Sequence, residues 1–177
     1  MKEEFDNIIQ SIVKSKLKNV GFNKTGTTFT KKESDFTIVL DIWKSSWNTS
    51  DQIMLWIEIG VFRNSFFKFI FHQDLQKKLR SNHCSIKTNA GALTNVELPN
   101  KNYTLTKSTV EKVSSELEED LNKLIIPFIS TLKSLEDLLI FERINPIKCT
   151  MTKLFVGLAL AERNEKKISH FDKRIPY

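Results

Sequence analysis

The sequence predicts an α+β domain: an antiparallel sheet of four to five strands with N-terminal and C-terminal helices packed on one face. Three observations carry that expectation. Residues 1–20 repeat apolar side chains at helical spacing. Residues 26–62 switch to strict alternation and hold all three tryptophans. Residues 109–165 return to helical spacing. A chain of 177 residues, 40% hydrophobic and carrying 13 Phe, buries enough core for a single domain over 1–177.

The first helix presents Phe5, Ile8, Ile9, Ile12, Val13, Leu17 and Val20 on one stripe, with Lys14 and Lys18 on the wet side. Acidic Glu3, Glu4 and Asp6 sit at its positive end. Gly21 follows as the left-handed stop, which folds Phe22 back onto Leu17. A three-strand meander comes next. Gly26–Lys32 is rich in Thr and Phe, and a polar turn at Glu33-Ser34 leads into Asp35–Lys44. There Phe36, Ile38, Leu40 and Ile42 share one face, and Thr37, Val39, Asp41 and Trp43 the other. Across a loop at Ser45–Asp51, the strand Gln52–Phe62 sets Ile53, Leu55, Ile57, Ile59 and Val61 against Met54, Trp56, Glu58, Gly60 and Phe62. One face is wholly apolar and must meet the helices. The other mixes aromatics with carboxylates.

Residues 63–105 read as mixed: a helix over Phe67–Leu79, short strands at Cys84–Thr88 and Asn102–Leu105, and turns at Asn89-Ala-Gly-Ala and Leu98-Pro-Asn-Lys. The helical region 109–165 opens on a capping box, Ser108 with Glu111, and runs along Val113, Leu117, Leu121, Ile125 and Leu132. Pro127 is expected to kink or split it. A short helix over Leu135–Phe141, capped by Ser134, precedes a break at Asn145-Pro146. Thr150 is the expected cap of a last helix with stripe Met151, Leu154, Phe155, Leu158 and Ala159. Residues 166–177 form a basic tail, surface-bound or loose from Ser169 onward.

Charge and cysteine usage bound the function. The net charge is +6, yet only five of the 27 basic residues are Arg, and the lysines are scattered over nearly every element. Phosphate recognition concentrates charge on one face and favours Arg, which argues against nucleic acid as the partner. No apolar run reaches the roughly 18–20 residues of a membrane span. The acidic N-terminus has no export signal and Cys84 and Cys149 show no CxxC spacing, so the expected setting is the cytoplasm with reduced thiols.

One order of segments is familiar. A helix ending in Val20-Gly21-Phe22 leads to a Thr/Phe/Lys strand and a Trp-containing strand-loop-strand. Then come Cys84-Ser-Ile-Lys-Thr-Asn-Ala-Gly-Ala-Leu93, Tyr103-Thr-Leu105 and Leu124-Ile-Ile-Pro-Phe-Ile-Ser-Thr-Leu132. Over roughly the first four-fifths of the chain this resembles the bacterial domain-of-unknown-function family numbered 4304. The resemblance implies a small cytoplasmic α+β protein without an established activity, and so supplies no catalytic residues.

The chemistry-bearing residues are sparse. His72, His83 and His170 form no metal-binding spacing, and no cofactor is expected. His72 and Asp74, two apart on a helix, point in different directions. His83 and Cys84, neighbours on a strand, would lie on opposite faces, leaving Cys84 as a buried apolar residue. No GxSxG, P-loop or GxGxxG occurs. Asp41 and Glu58 share the mixed face with Trp43 and Trp56. A hairpin centred near Trp47-Asn48 would put Asp41 opposite Met54 and leave the two carboxylates about 13 Å apart, at about 3.3 Å per residue. That is beyond the ~5–9.5 Å of paired glycosidase carboxyls.

The bland expectation is a mixed face partly covered by a loop or helix, with the acids at its margin. The functional one is a recognition patch of Trp43, Trp47 and Trp56 flanked by Asp41 and Glu58, since exposed Trp supplies rigid contact area. The sequence therefore points to a non-catalytic module that binds another protein, of accessory or immunity type. The alternatives are a small-ligand binder or enzyme with a pocket beside Asp41, Glu58, His72 or His83, and a weak nucleic-acid binder using Lys77, Lys78, Arg80 and Lys87.

Overall fold

In a computed structural model of the chain the described residues are 1–75, 78–84, 86–93, 101–140 and 149–172; in the last helix, side chains are described for 154–165. Among the described residues six strands form one antiparallel sheet: β1 (Asn23–Thr25), β2 (Thr28–Lys32), β3 (Thr37–Lys44), β4 (Ile53–Phe62), β5 (Ile86–Asn89) and β6 (Tyr103–Leu105). The first four are a meander, and β5 and β6 both pair with the far edge of β4. There β5 takes Glu58–Val61 and β6 takes Ile53–Leu55. The sixth strand arises because Gly26-Thr27 is a turn. With Gly26 at φ +63, a two-residue connection joins Thr25 to Thr28, so Gly26 and Thr27, expected in a strand, form the turn and β1 adds a strand that was not expected.

Helix α1 covers residues 2–19, with a π turn at Ile9–Lys14 between α segments Lys2–Ile8 and Ser15–Asn19. Its end is the predicted stop. Gly21 adopts φ +90, and the amide of Phe22 donates to the Leu17 carbonyl at 3.0 Å, so both side chains are buried. Helix α2, Asn64–Phe71, begins and ends earlier than its aromatics indicate. His72 in the left-handed region (φ 55) stops it, and Asp74 lies beyond, accepting from Asn64.

Helix α3 spans residues 110–131 and does not start at the expected capping box. Thr109 is the cap residue, and its hydroxyl is turned to the Thr104 carbonyl and the Thr106 amide, while Ser108 meets only the Thr106 hydroxyl. Pro127 falls in the first turn of the α segment Ile126–Thr131, directly after a π turn at Leu121–Ile125. The bonding shift absorbs the missing amide proton, and the helix stays continuous.

Ser134 and Asp137 cap each other around a short 3₁₀ turn, Glu136–Leu139, rather than a longer helix. Helix α4, Cys149–Asp172, includes both Cys149 and Thr150, so Thr150 is inside it rather than its cap, and it extends through residues 169–172 of the expected loose tail. Leu98–Asn100, Phe141, Asn145-Pro146 and residues 173–177 lie outside the described residues.

The apolar sheet face holds Ile38, Leu40, Ile42, Leu55, Ile57, Ile59 and Val61, all essentially inaccessible. It meets Phe5, Val13 and Leu17 of α1, Leu117, Leu121 and Ile125 of α3, and Phe155 of α4 in one core. Each such side chain contributes about 1.5–3 kcal/mol on burial, so this face outweighs any local propensity. Polar ties index the layers: Lys16 to Glu118, Tyr103 to Asp120, and Arg63 to both the Asp35 carbonyl and Glu162.

Candidate functional site

The opposite face of the sheet is where the polar chemistry gathers. The β3–β4 register places Asp41 directly across from Glu58 and Trp43 across from Trp56. This corrects the expected pairing of Asp41 with Met54. The hairpin turns at Thr49–Gln52, not at Trp47-Asn48, because Asn48 imitates a strand residue. Its side chain exchanges both hydrogen bonds with the Met54 backbone, at 2.7 and 3.2 Å, and the Thr49 amide then donates to the Gln52 carbonyl at 3.0 Å. The two carboxylates are therefore cross-strand neighbours, and the distance argument against an acid pair does not hold.

A segment that the sequence reading assigned partly to helix and partly to strand covers this pair. Ser81–His83 forms a 3₁₀ turn over the face, with Cys84 as its end residue. Consequently His83 and Cys84 are not strand neighbours. Asp41 is fully buried and satisfied. One of its oxygens accepts from the Thr28 hydroxyl at 3.0 Å, the other from Arg80 Nε at 2.7 Å and the Ser81 amide at 3.1 Å. Ser81 Oγ accepts from Trp43 Nε1 at 2.7 Å and lies 2.6 Å from Glu58 and 3.2 Å from Asp41. One hydroxyl proton cannot serve both acids, and the shorter contact assigns it to Glu58. Lys87 Nζ stands 3.9 Å from Glu58.

Ser81 and Asp41 are fully buried while Glu58 is half-buried, and the cluster clasps the 78–84 segment to the sheet. Asp41 thus lies beneath the cover rather than at its margin. Beside it Cys84 rests on Gly60, and burial, ahead of the nearby carboxylates, pushes its thiol well above the ordinary value. An isolated Gly in a strand signals such close approach, and Gly60 was the one available hint of the cover. Arg80 and Ser81 carried none, since each acts only through the fold.

The three tryptophans separate into two environments. Trp43 and Trp56 are half-buried and stack near-parallel, with centroids 6.5 Å apart, and the Arg80 guanidinium lies over Trp43 at 4.5 Å. Trp47, by contrast, is 89% exposed in the β3–β4 loop. Its amide donates to Ser45 Oγ, and the Ser45 amide donates to the Met54 carbonyl, so the loop backbone is held while the indole is almost wholly exposed. The structure therefore brings Asp41, Glu58, Trp43 and Trp56 together and leaves Trp47 apart from that cluster.

A cleft of about 640 Å³ opens between the Thr25–Thr28 turn and residues 78–83, with Trp43, Arg80 and His83 in its lining. His83 Nδ1 accepts from the Arg80 amide at 3.0 Å. Among the described residues no three His, Cys, Asp or Glu side chains gather at metal-binding range. No described helix is long and apolar enough to cross a membrane.

The chain matches the model of a domain of unknown function, DUF4304, over residues 13–131, from α1 to the end of α3, and belongs to that family. No curated protein and no solved structure matches it.

Proposed function

We propose that this DUF4304 protein is a non-catalytic binding module that recognises another protein through the β3–β4 loop, as an accessory or immunity-type factor does. The observation that carries the proposal is Trp47: a large apolar side chain 89% exposed on a loop whose backbone is already fixed. Inserting an indole from an already fixed backbone into a partner's apolar pocket orders no loop, which limits the entropy lost and suits a single Trp to dominate an interface. The acids point the same way, because Asp41 is consumed by Thr28, Arg80 and Ser81. A bacterial cytoplasmic setting belongs to the same proposal and is supported by Cys84, which is free and buried.

The test is capture from native host lysate with immobilised protein, beside a Trp47→Ala variant. That substitution removes little packing, so the two proteins should share one melting temperature. The expected result is a stoichiometric protein held by the wild type and lost by the variant. Equal capture by both, or none by either, overturns the proposal.

A further inference from the structure

We propose that the cleft between the β1–β2 turn and residues 78–83 is a binding site for a small organic oxyanion, a phosphate or carboxylate compound. This site is independent of the Trp47 surface. It rests first on how Arg80 is held. Its Nε donates to buried Asp41 at 2.7 Å and its guanidinium plane lies 4.5 Å from the Trp43 ring centre. Two contacts at right angles in kind, one in-plane and one facial, leave the side chain little freedom. Its terminal nitrogens, Nη1 and Nη2, have no partner among the described residues, and the side chain, which lines the cleft, is 35% exposed. A guanidinium anchored through Nε presents its two outer N–H₂ groups as a ready fork for a planar or tetrahedral oxyanion.

The remaining lining agrees. Exposed Lys78 is in the same cleft and pairs with no carboxylate among the described residues. Among the described residues no Asp or Glu lines the cavity, because Asp41 is shut beneath it. Asn82 and Thr27, residue types with uncharged donors, also line it. His83 also lines the cleft, and its Nδ1 accepts from the Arg80 amide. With one cation balanced by Asp41 and one unbalanced, the cleft favours a negatively charged guest. At about 640 Å³ it exceeds what an inorganic ion fills and falls in the size range of small-molecule sites. Trp43 and Leu79 supply apolar wall for the organic remainder.

The experiment titrates the full chain with inorganic phosphate, glycerol 3-phosphate and citrate at constant ionic strength, with glycerol and sodium chloride as controls. Binding is read by thermal shift and by tryptophan emission, since Trp43 lies in the wall. The expected result is saturable stabilisation by at least one of the three oxyanions and by neither control. Preference for glycerol 3-phosphate over citrate assigns a phosphate headgroup, and the reverse assigns a carboxylate. Lys78→Glu, at an exposed and unpaired position, keeps the fold and should weaken binding by roughly tenfold or more through charge reversal. Arg80→Lys, which keeps the charge and loses the fork, should weaken it further. Absence of saturable binding by all three, or equal binding by Lys78→Glu, overturns the assignment.

Discussion

Cys84 occupies the space above Gly60: a Cβ built on that glycine would stand 2.7 Å from the cysteine Cβ and 2.8 Å from its sulfur. Both are less than real Cβ atoms tolerate, so the 81–84 turn seats on β4 only because residue 60 has no side chain. Gly60→Ala should therefore lower stability by about 1–3 kcal/mol, the usual range for overpacking. Adding Cys84→Gly should return part of that loss, although Cys84→Gly alone destabilises. Urea denaturation of the four proteins measures the coupling. Simple additivity would show that the two residues do not meet.

Removing the Asp41 carboxylate should cost far more than removing Glu58. Asp41→Ala leaves the Ser81 amide and the Thr28 hydroxyl without their acceptor in a place closed to water, and the partly exposed Arg80 guanidinium without its anchor. A loss of about 2–5 kcal/mol is expected, mainly from the two stranded buried donors at about 1–3 kcal/mol each. Glu58 is half-buried and accepts one serine hydroxyl, with Lys87 at 3.9 Å. Glu58→Gln keeps an acceptor there and should cost about 1 kcal/mol. Equal losses would mean that the clasp is not centred on Asp41.

The fold should weaken in alkali, for two buried acids. Burial, assisted by the Asp120 carboxylate that accepts its proton, raises the Tyr103 phenol above its ordinary 10.0. Burial likewise raises the Cys84 thiol above 9.0. A folded-state pKa above the unfolded one means that the native state holds its proton longer. The stability from each group is then complete below its unfolded value and declines as pH rises beyond it. Urea midpoints should fall from about pH 9 upward, first through Cys84 and then through Tyr103. Tyr103→Phe should flatten the upper part of that decline, while lowering the midpoint at neutral pH by the lost bond to Asp120. In a Cys149→Ser background, alkylation of Cys84 should track unfolding.

At the end of α1, Gly21→Ala places a Cβ in the left-handed region at φ +90. The expected cost is about 1–2 kcal/mol. Thermal melts of the purified variant test it, and a change within a few tenths would show that another residue sets the stop.

What could be foreseen followed from local chemistry. The Gly21 stop, the alternation in β3 and β4 and the α3 stripe are each written in residues close in sequence, and the hydrophobic core enforces them. The β3–β4 register was not foreseeable in that way. It hangs on one Asn48 side chain standing in for backbone. Nor could the cover over Asp41 be read locally: its contacts join residues about forty apart, and Arg80 and Ser81 sit in a stretch with no regular period. The candidate cleft exists only because the Gly26 turn and that cover approach from opposite sides. Trp47 was legible as exposed because the loop around it is polar.

The sheet's margins bear on how the protein behaves when crowded. Its central strand, Ile53–Phe62, is a ten-residue run of the kind that recruits copies of itself into fibrils if its hydrogen-bonding flank is bare. That flank is divided between β5 and β6, while β3 takes the other side. Among the described residues the strands left at the margins, β1, β5 and β6, are three or four residues long, and β1 carries Lys24. Short, charged margins give an incoming chain little to pair with. The most self-adhesive segment of this sequence is therefore insulated by its least regular ones, and resistance to self-association rests on the small strands that contribute least to the core.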